Sequence, residues 1–183
     1  LSSQALLGSL LDSFSAENIH VHTYGTKVQQ SVEIATTLKT KLDSVATTQS
    51  FTGSSVGKQL EMVCKIMKAA QVANSDMPLS QTFFVESTGW DHHNELIDIQ
   101  AAMFEELNTA ISEYWTELGT LGLQDSVTLF SESDFARTLS SNGKGSDHAW
   151  GGNHFVIGGG VLGGRIYGTY PIKGSADNYE FPD

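Results

Sequence analysis

The sequence predicts an α/β fold: a helical N-terminal part, then a mainly parallel sheet with helices on its faces. Three observations predict it. Apolar residues in the first 80 positions recur at the three-then-four spacing of amphipathic helices. Beyond them, short β-rich runs alternate with one long helical stretch, and strand, crossover helix, strand is the signature of a parallel sheet. Eleven of the 18 glycines lie between Gly143 and Gly174, interleaved with His, Trp, Phe and Ile, which predicts tight packed loops and no flexible linker. The division falls at residues 1–80, the helical part, and 81–183, the α/β core, both read as one domain.

The elements follow in order. Leu6, Leu7, Leu10, Leu11 and Phe14 make a first apolar stripe; Val28, Val32, Ala35, Leu38, Leu42 and Val45 a second; Val56, Leu60, Val63, Cys64 and Met67 a third. His20 and His22 alternate around Val21, which places both on one strand face as ordinary surface histidines. The polar stretch Thr47 to Ser55 reads as a connection. Thr82 to Glu86, with Phe83, Phe84 and Val85, predicts a strand buried on both faces. Residues 94–118 form the longest helix, with Leu96, Met103, Leu107, Ile111, Tyr114 and Leu118 on one side. Its six acids, with no Lys or Arg, read as a solvated face. Gly119 and Gly122 end it. Ser126 to Phe130 and His154 to Ile157 are two further strands.

Composition narrows the function. The 183 residues carry 21 Asp+Glu against 10 Lys+Arg, a formal charge of -11. Ten scattered cations make no surface for a phosphate backbone, so a nucleic-acid partner is not expected. No apolar run reaches the ~20 residues that span a bilayer. The single cysteine, Cys64, excludes an internal disulfide and a multi-thiolate zinc site; on an apolar stripe it reads as a buried, inert thiol. The chain opens at Leu1 without an initiator Met or signal peptide, so a central piece of a longer, processed chain is expected.

Chemistry concentrates at the predicted strand ends. His92 and His93 follow the first strand in Gly89-Trp90-Asp91-His92-His93-Asn94. His148 and His154 flank the glycine-rich run Asp147-His148-Ala149-Trp150-Gly151-Gly152-Asn153-His154. Ligands of parallel sheets gather beyond the carboxyl ends of strands. Asp91 and His93, two apart, point the same way in an extended turn and would grip one ion; Asp91 also fits as a cap of the following helix. His with carboxylate suits zinc first, with manganese or calcium as the harder alternatives.

The same residues carry a resemblance. The Gly89–Asn94 segment resembles the Gly-Phe-Asp-Thr-His block of the domain-of-unknown-function 1501 family. Thr128 to Leu139, through Ser131-Glu132-Ser133-Asp134-Phe135-Ala136-Arg137-Thr138, is similar to its Ser-Asp/Glu-Phe-Gly-Arg-Thr block, and Ser140 to Tyr170 to the block that follows. The match covers about residues 57–171. That family is placed with the alkaline phosphatase and sulfatase superfamily. The resemblance implies an alkaline phosphatase-like three-layer sandwich and metal-assisted hydrolysis of a phosphate or sulfate ester by an exported, periplasmic or cell-surface protein. It implies Asp91, His93, Asp147 and His148 as metal ligands, with Asp134 at a strand end where the wider superfamily often has an Asp-His pair. Here Phe135, which binds no metal, follows it. His154 would be a ligand or acid/base, and Arg137 would hold an anionic oxygen or pair with a loop acid. The substrate would be an anionic small molecule or a polysaccharide ester. The nucleophile of that superfamily would lie upstream of residue 1. The competing expectation is a non-catalytic subunit of an extracellular or surface assembly, or of a homo-oligomer, that reuses the fold.

Two rival motifs fall away. Gly53-Ser54-Ser55-Val56-Gly57 fits Gly-x-Ser-x-Gly, but a nucleophile elbow follows a strong strand, and Ala46 to Phe51 is polar. Ser54 and Ser55 read better as helix N-caps. Gly53 to Lys58 has the wrong length for a phosphate-binding loop.

Overall fold

A computed structural model describes residues 19–72, 75–169, 172–173 and 179–180. The expected first stripe, Leu6 to Phe14, lies outside the described residues. The second stripe belongs to helix α1 (Ile19–Asp43), on which Val28, Val32, Leu38 and Leu42 are half-buried. The strand expected around His20 and His22 is not formed, because α1 extends back over both. Residues two apart then project to different sides of the helix. The hydroxyls of Thr23 and Thr26 bond back to the carbonyls of Ile19 and His22 at 2.7 and 3.0 Å, completing the helical turns there.

The core is a helix pair. Helix α2 (Ser55–Gln71) buries the whole third stripe, Val56, Leu60, Val63, Cys64 and Met67. Ser54 is its N-cap: the hydroxyl accepts from Gly57 N–H at 2.9 Å, so the serine is a cap and no elbow. Burial pushes the Cys64 thiol up to about 12, helped by Glu117 and Glu61, as an inert core thiol requires. Helix α3 (Leu96–Leu121) packs Ala110, Tyr114 and Leu118 against it. Gly119 lies inside the last turn; Gly122, at φ 68°, ends the helix. Leu123 N–H bonds to Leu118 O at 2.9 Å and Gly122 N–H to Gly119 O at 3.2 Å, and Leu123 packs on the core.

The acids of α3 are not all solvated. Glu117 is fully buried, and its carboxylate accepts from the backbone N–H groups of Thr48 and Gln49 at 2.9 Å. Glu113 accepts from Thr52 N–H at 2.8 Å and from its hydroxyl at 3.2 Å. The 44–54 connection makes no ladder, so its N–H groups require acceptors, and two acids on the inner side of α3 supply them.

The remaining chain is mixed helix and strand with small antiparallel sheets. After a 3₁₀ turn at Gln124–Ser126, β1 (Thr128–Phe130) pairs with β4 (Val156–Gly158), in the register Leu129 with Ile157. Strand β2 (Ala136–Arg137) pairs with β3 (His148–Ala149), and β5 (Ile172–Lys173) with β6 (Tyr179–Glu180). Every pairing among the described residues is antiparallel and two-stranded, where a parallel sheet was expected. The run Thr82 to Glu86 is the source of the difference. It is extended but belongs to no strand, and it is buried on one side only: Phe83 and Val85 pack on the core while Phe84 is 87% exposed. The Gln59 side-chain amide takes the place of a neighbouring strand there, donating to Glu86 O at 2.8 Å and accepting from Glu86 N–H at 2.9 Å.

Candidate functional site

Two loops meet beyond the core. The first, between the extended 82–86 run and α3, turns at Gly89 (φ 92°). Trp90 anchors it: the indole N–H donates to Ser87 Oγ at 2.9 Å, and the ring lies 4.9 Å from that of Phe104 on α3. His92 faces Met103 Sδ at 3.2 Å, which leaves its neighbours Asp91 and His93 to face the other loop. Asp91 does not cap α3; the N-cap position is Glu95, at φ 52°, with no side-chain cap bond.

The second loop runs from β2 to β3. Asn142 Oδ1 accepts from the N–H groups of Lys144 and Gly145 at 3.0 and 2.8 Å, an Asx turn that reverses the chain. Gly145 then packs on the first loop, so closely that a Cβ would sit 2.7 Å from His93 O. The antiparallel register sets Arg137 opposite His148.

Four of the expected residues converge. Asp91 Oδ1 lies 2.6 Å from His148 Nε2 and 3.0 Å from His93 Nε2. These three donor atoms all fall within 4.8 Å of one another. Behind His93, Asp147 Oδ1 is 3.2 Å from Nδ1, and Asn142 Nδ2 donates to the same oxygen at 3.2 Å. His93 thus stands between two carboxylates, with Nδ1 toward Asp147 and Nε2 toward Asp91. The His148 ring is sandwiched, 4.1 Å from Phe135 and 5.0 Å from His93 between centroids. The three side chains are about half exposed, at 62% for Asp91, 46% for His93 and 45% for His148.

Charge follows this geometry. The hydrogen bond from His148, with the charges of His148 and His93, holds the Asp91 carboxyl below its ordinary 3.8. The hydrogen bonds from His93 and then Asn142 do the same for Asp147.

The other expected residues lie elsewhere or act differently. Asp134 is exposed and stands outside the cluster. His154 is also outside it, with Nδ1 3.3 Å from Ser131 Oγ. Arg137 gives its guanidinium to two backbone carbonyls, Trp90 O at 2.7 Å and Ser146 O at 2.5 Å, and lies over the Phe135 ring at 5.2 Å. Sequence reasoning missed Asn142 and the stacking role of Phe135. Asn142-Gly143 is a turn signal and could have flagged the first; nothing local flags the second.

The family described as "Protein of unknown function (DUF1501)" matches residues 12–182. No curated protein and no solved structure matches the chain.

Proposed function

The chain belongs to the DUF1501 family, and from that premise we propose that it carries the metal centre of a hydrolase of phosphate or sulfate esters. The single observation behind this reading is the convergence of Asp91, His93 and His148, from loops far apart in sequence, on one small volume. Two imidazoles and one carboxylate are the donor set of catalytic zinc sites, which keep a fourth position open. The fit extends outward, since a carboxylate behind a ligating histidine fixes its tautomer, and Asp147 stands there with Asn142 behind it. Asp91, His93 and His148 would hold the ion, zinc first, with manganese or calcium as alternatives. A bound divalent ion supplies Lewis-acid polarisation of an ester oxygen and acidifies water. The half-exposed donors leave room for an anionic small molecule or a polysaccharide ester. An alkaline phosphatase-like sandwich with a parallel sheet, and an exported, periplasmic or cell-surface location, belong to the same proposal.

The test is elemental analysis and zinc titration of the full chain, with Asp91→Ala and His93→Ala. Bound metal in the parent and loss in both variants is the expected result; unchanged metal content in both removes the assignment. Turnover of nitrophenyl phosphate or sulfate in the presence of zinc, manganese or calcium, lost with Asp91→Ala, identifies the enzyme.

A second reading, a non-catalytic subunit of an extracellular assembly, draws on one observation. Large apolar side chains of the glycine-rich segment are open to solvent, including Leu162 at 72%, Ile166 at 94% and Tyr167 at 66%. Metal binding with silence on every ester would favour it.

A further inference from the structure

We propose that Arg137 is a positioning residue for the metal centre: its bridge between Trp90 O and Ser146 O sets the separation of the two ligand loops, and with it the affinity for a divalent ion. The inference rests on the reading of Asp91, His93 and His148 as ligands.

The two carbonyls are the ones that matter for spacing. Trp90 immediately precedes the ligand Asp91, and Ser146 immediately precedes Asp147, next to the ligand His148. One planar group therefore grips both loops within two residues of their donor atoms. Arg137 is itself held firmly. Its backbone N–H and C=O exchange bonds with Gly151, each at 2.9 Å, and Thr138 N–H bonds to Asp147 O at 2.9 Å. The other ion-pair contacts across the gap, Asp91 to His148 at 2.6 Å and Asp147 to His93 at 3.2 Å, are made by the site's own side chains, so Arg137 is the brace from outside it. Asn142 Nδ2 reaches His93 O at only 3.4 Å, and no described residue from 119 to 169 is buried, so no apolar core fixes the gap between the loops. A guanidinium serves because its donors diverge in a fixed plane and reach two acceptors at once; an ammonium on a flexible stem does not hold that angle. The ligand atoms must meet within about 2 Å of the ion, so a loop shift of a fraction of an ångström is enough to weaken capture.

The test titrates cobalt(II), read by its visible absorption bands, into the full chain and into Arg137→Ala, Arg137→Lys and Asp91→Ala. The parent is expected to bind one equivalent, and Asp91→Ala to lose the bands. Arg137→Ala is expected to weaken binding about 10- to 100-fold, as loss of an outer hydrogen-bonding partner does, and to change band position and intensity. Millimolar guanidinium ion is expected to restore binding to Arg137→Ala and not to Asp91→Ala. Should the alanine variant fail to fold, Arg137→Lys, with charge and stem kept, carries the test through the same bands. Parent-like affinity and bands in the Arg137 variants, with Asp91→Ala inactive in binding, overturn the brace alone. Absence of cobalt binding in the parent overturns the ligand assignment and the brace together.

Discussion

The α2–α3 pair and the two ligand loops are held by different physics. In the helix pair, Leu60, Cys64, Ala110 and Leu118 lose essentially all contact with water, and the apolar stripes alone decide which faces meet. In the loops, none of the described residues from 119 to 169 is buried. Their mutual position depends on directed polar contacts: Arg137 on two carbonyls, Asp91 on His148, Asp147 on His93. The lesson is that stability and the candidate chemistry are separable. Injury to the first region should destabilise the protein and leave the site unchanged in the folded fraction, and injury to the second should disable the site in a folded chain.

The sharpest way to break this comparison is Leu118→Ala. Removing a side chain with no exposure should cost about 2–5 kcal/mol in denaturant unfolding, with metal stoichiometry unchanged in the folded fraction. Next is Glu117→Ala, which strips acceptors from Thr48 and Gln49. A loss of about 3 kcal/mol is expected, the low end for two charged hydrogen bonds at about 1.5–3 each, because removing the buried carboxylate also relieves its desolvation. Hydrogen exchange at those two amides should accelerate well beyond that of the α2 amides. Third, zinc at a hundred times its dissociation constant should stabilise the parent by about 2.7 kcal/mol and leave Asp91→Ala unmoved; equal stabilisation of both would mean the loops do not form the binding site. The smallest effect is acid dependence. Asp91 and Asp147 have carboxyls held below 3.8 in the folded chain, so the unfolded chain takes up protons first as pH falls. Their contribution is complete above 3.8 and disappears as pH drops through the lower folded values. Asp91→Asn should therefore flatten the stability curve in that acid window and leave it parallel to the parent near neutrality.

Legibility in the sequence followed the same divide. The third stripe is legible because helical periodicity records burial directly, and Val56, Leu60, Val63, Cys64 and Met67 are all in the core. Ser54 as a cap is legible because capping is a local matter. Pairing is not local. Thr82 to Glu86 has the composition of a strand, yet a single glutamine side chain, Gln59, satisfies Glu86 where a neighbouring strand was expected. The His20–Val21–His22 alternation was read as a strand because three residues cannot distinguish period two from a helix. Glu113 and Glu117 look like the other acids of α3 until the loop they hold is in view. At the site, the Asp91–His93 spacing and the Asp147–His148 dipeptide point to the two loops, whose Asp91, His93 and His148 donor atoms lie within 4.8 Å of one another. That Asp147 stands behind His93, and that Arg137 reaches carbonyls, depends on approach distances no spacing encodes.

Phe135 ends as the most instructive of these positions. Its ring cannot ligate, yet Arg137 lies over it and the imidazoles of His148 and His93 follow in the same pile. A free imidazole must give up its torsional freedom when it captures a cation. One wedged between flat neighbours has surrendered that freedom already, while the chain folded. At a metal centre of the kind proposed, the aromatic plate would thus make capture quick to arrange and hard to misalign, a contribution invisible in any tally of donor atoms.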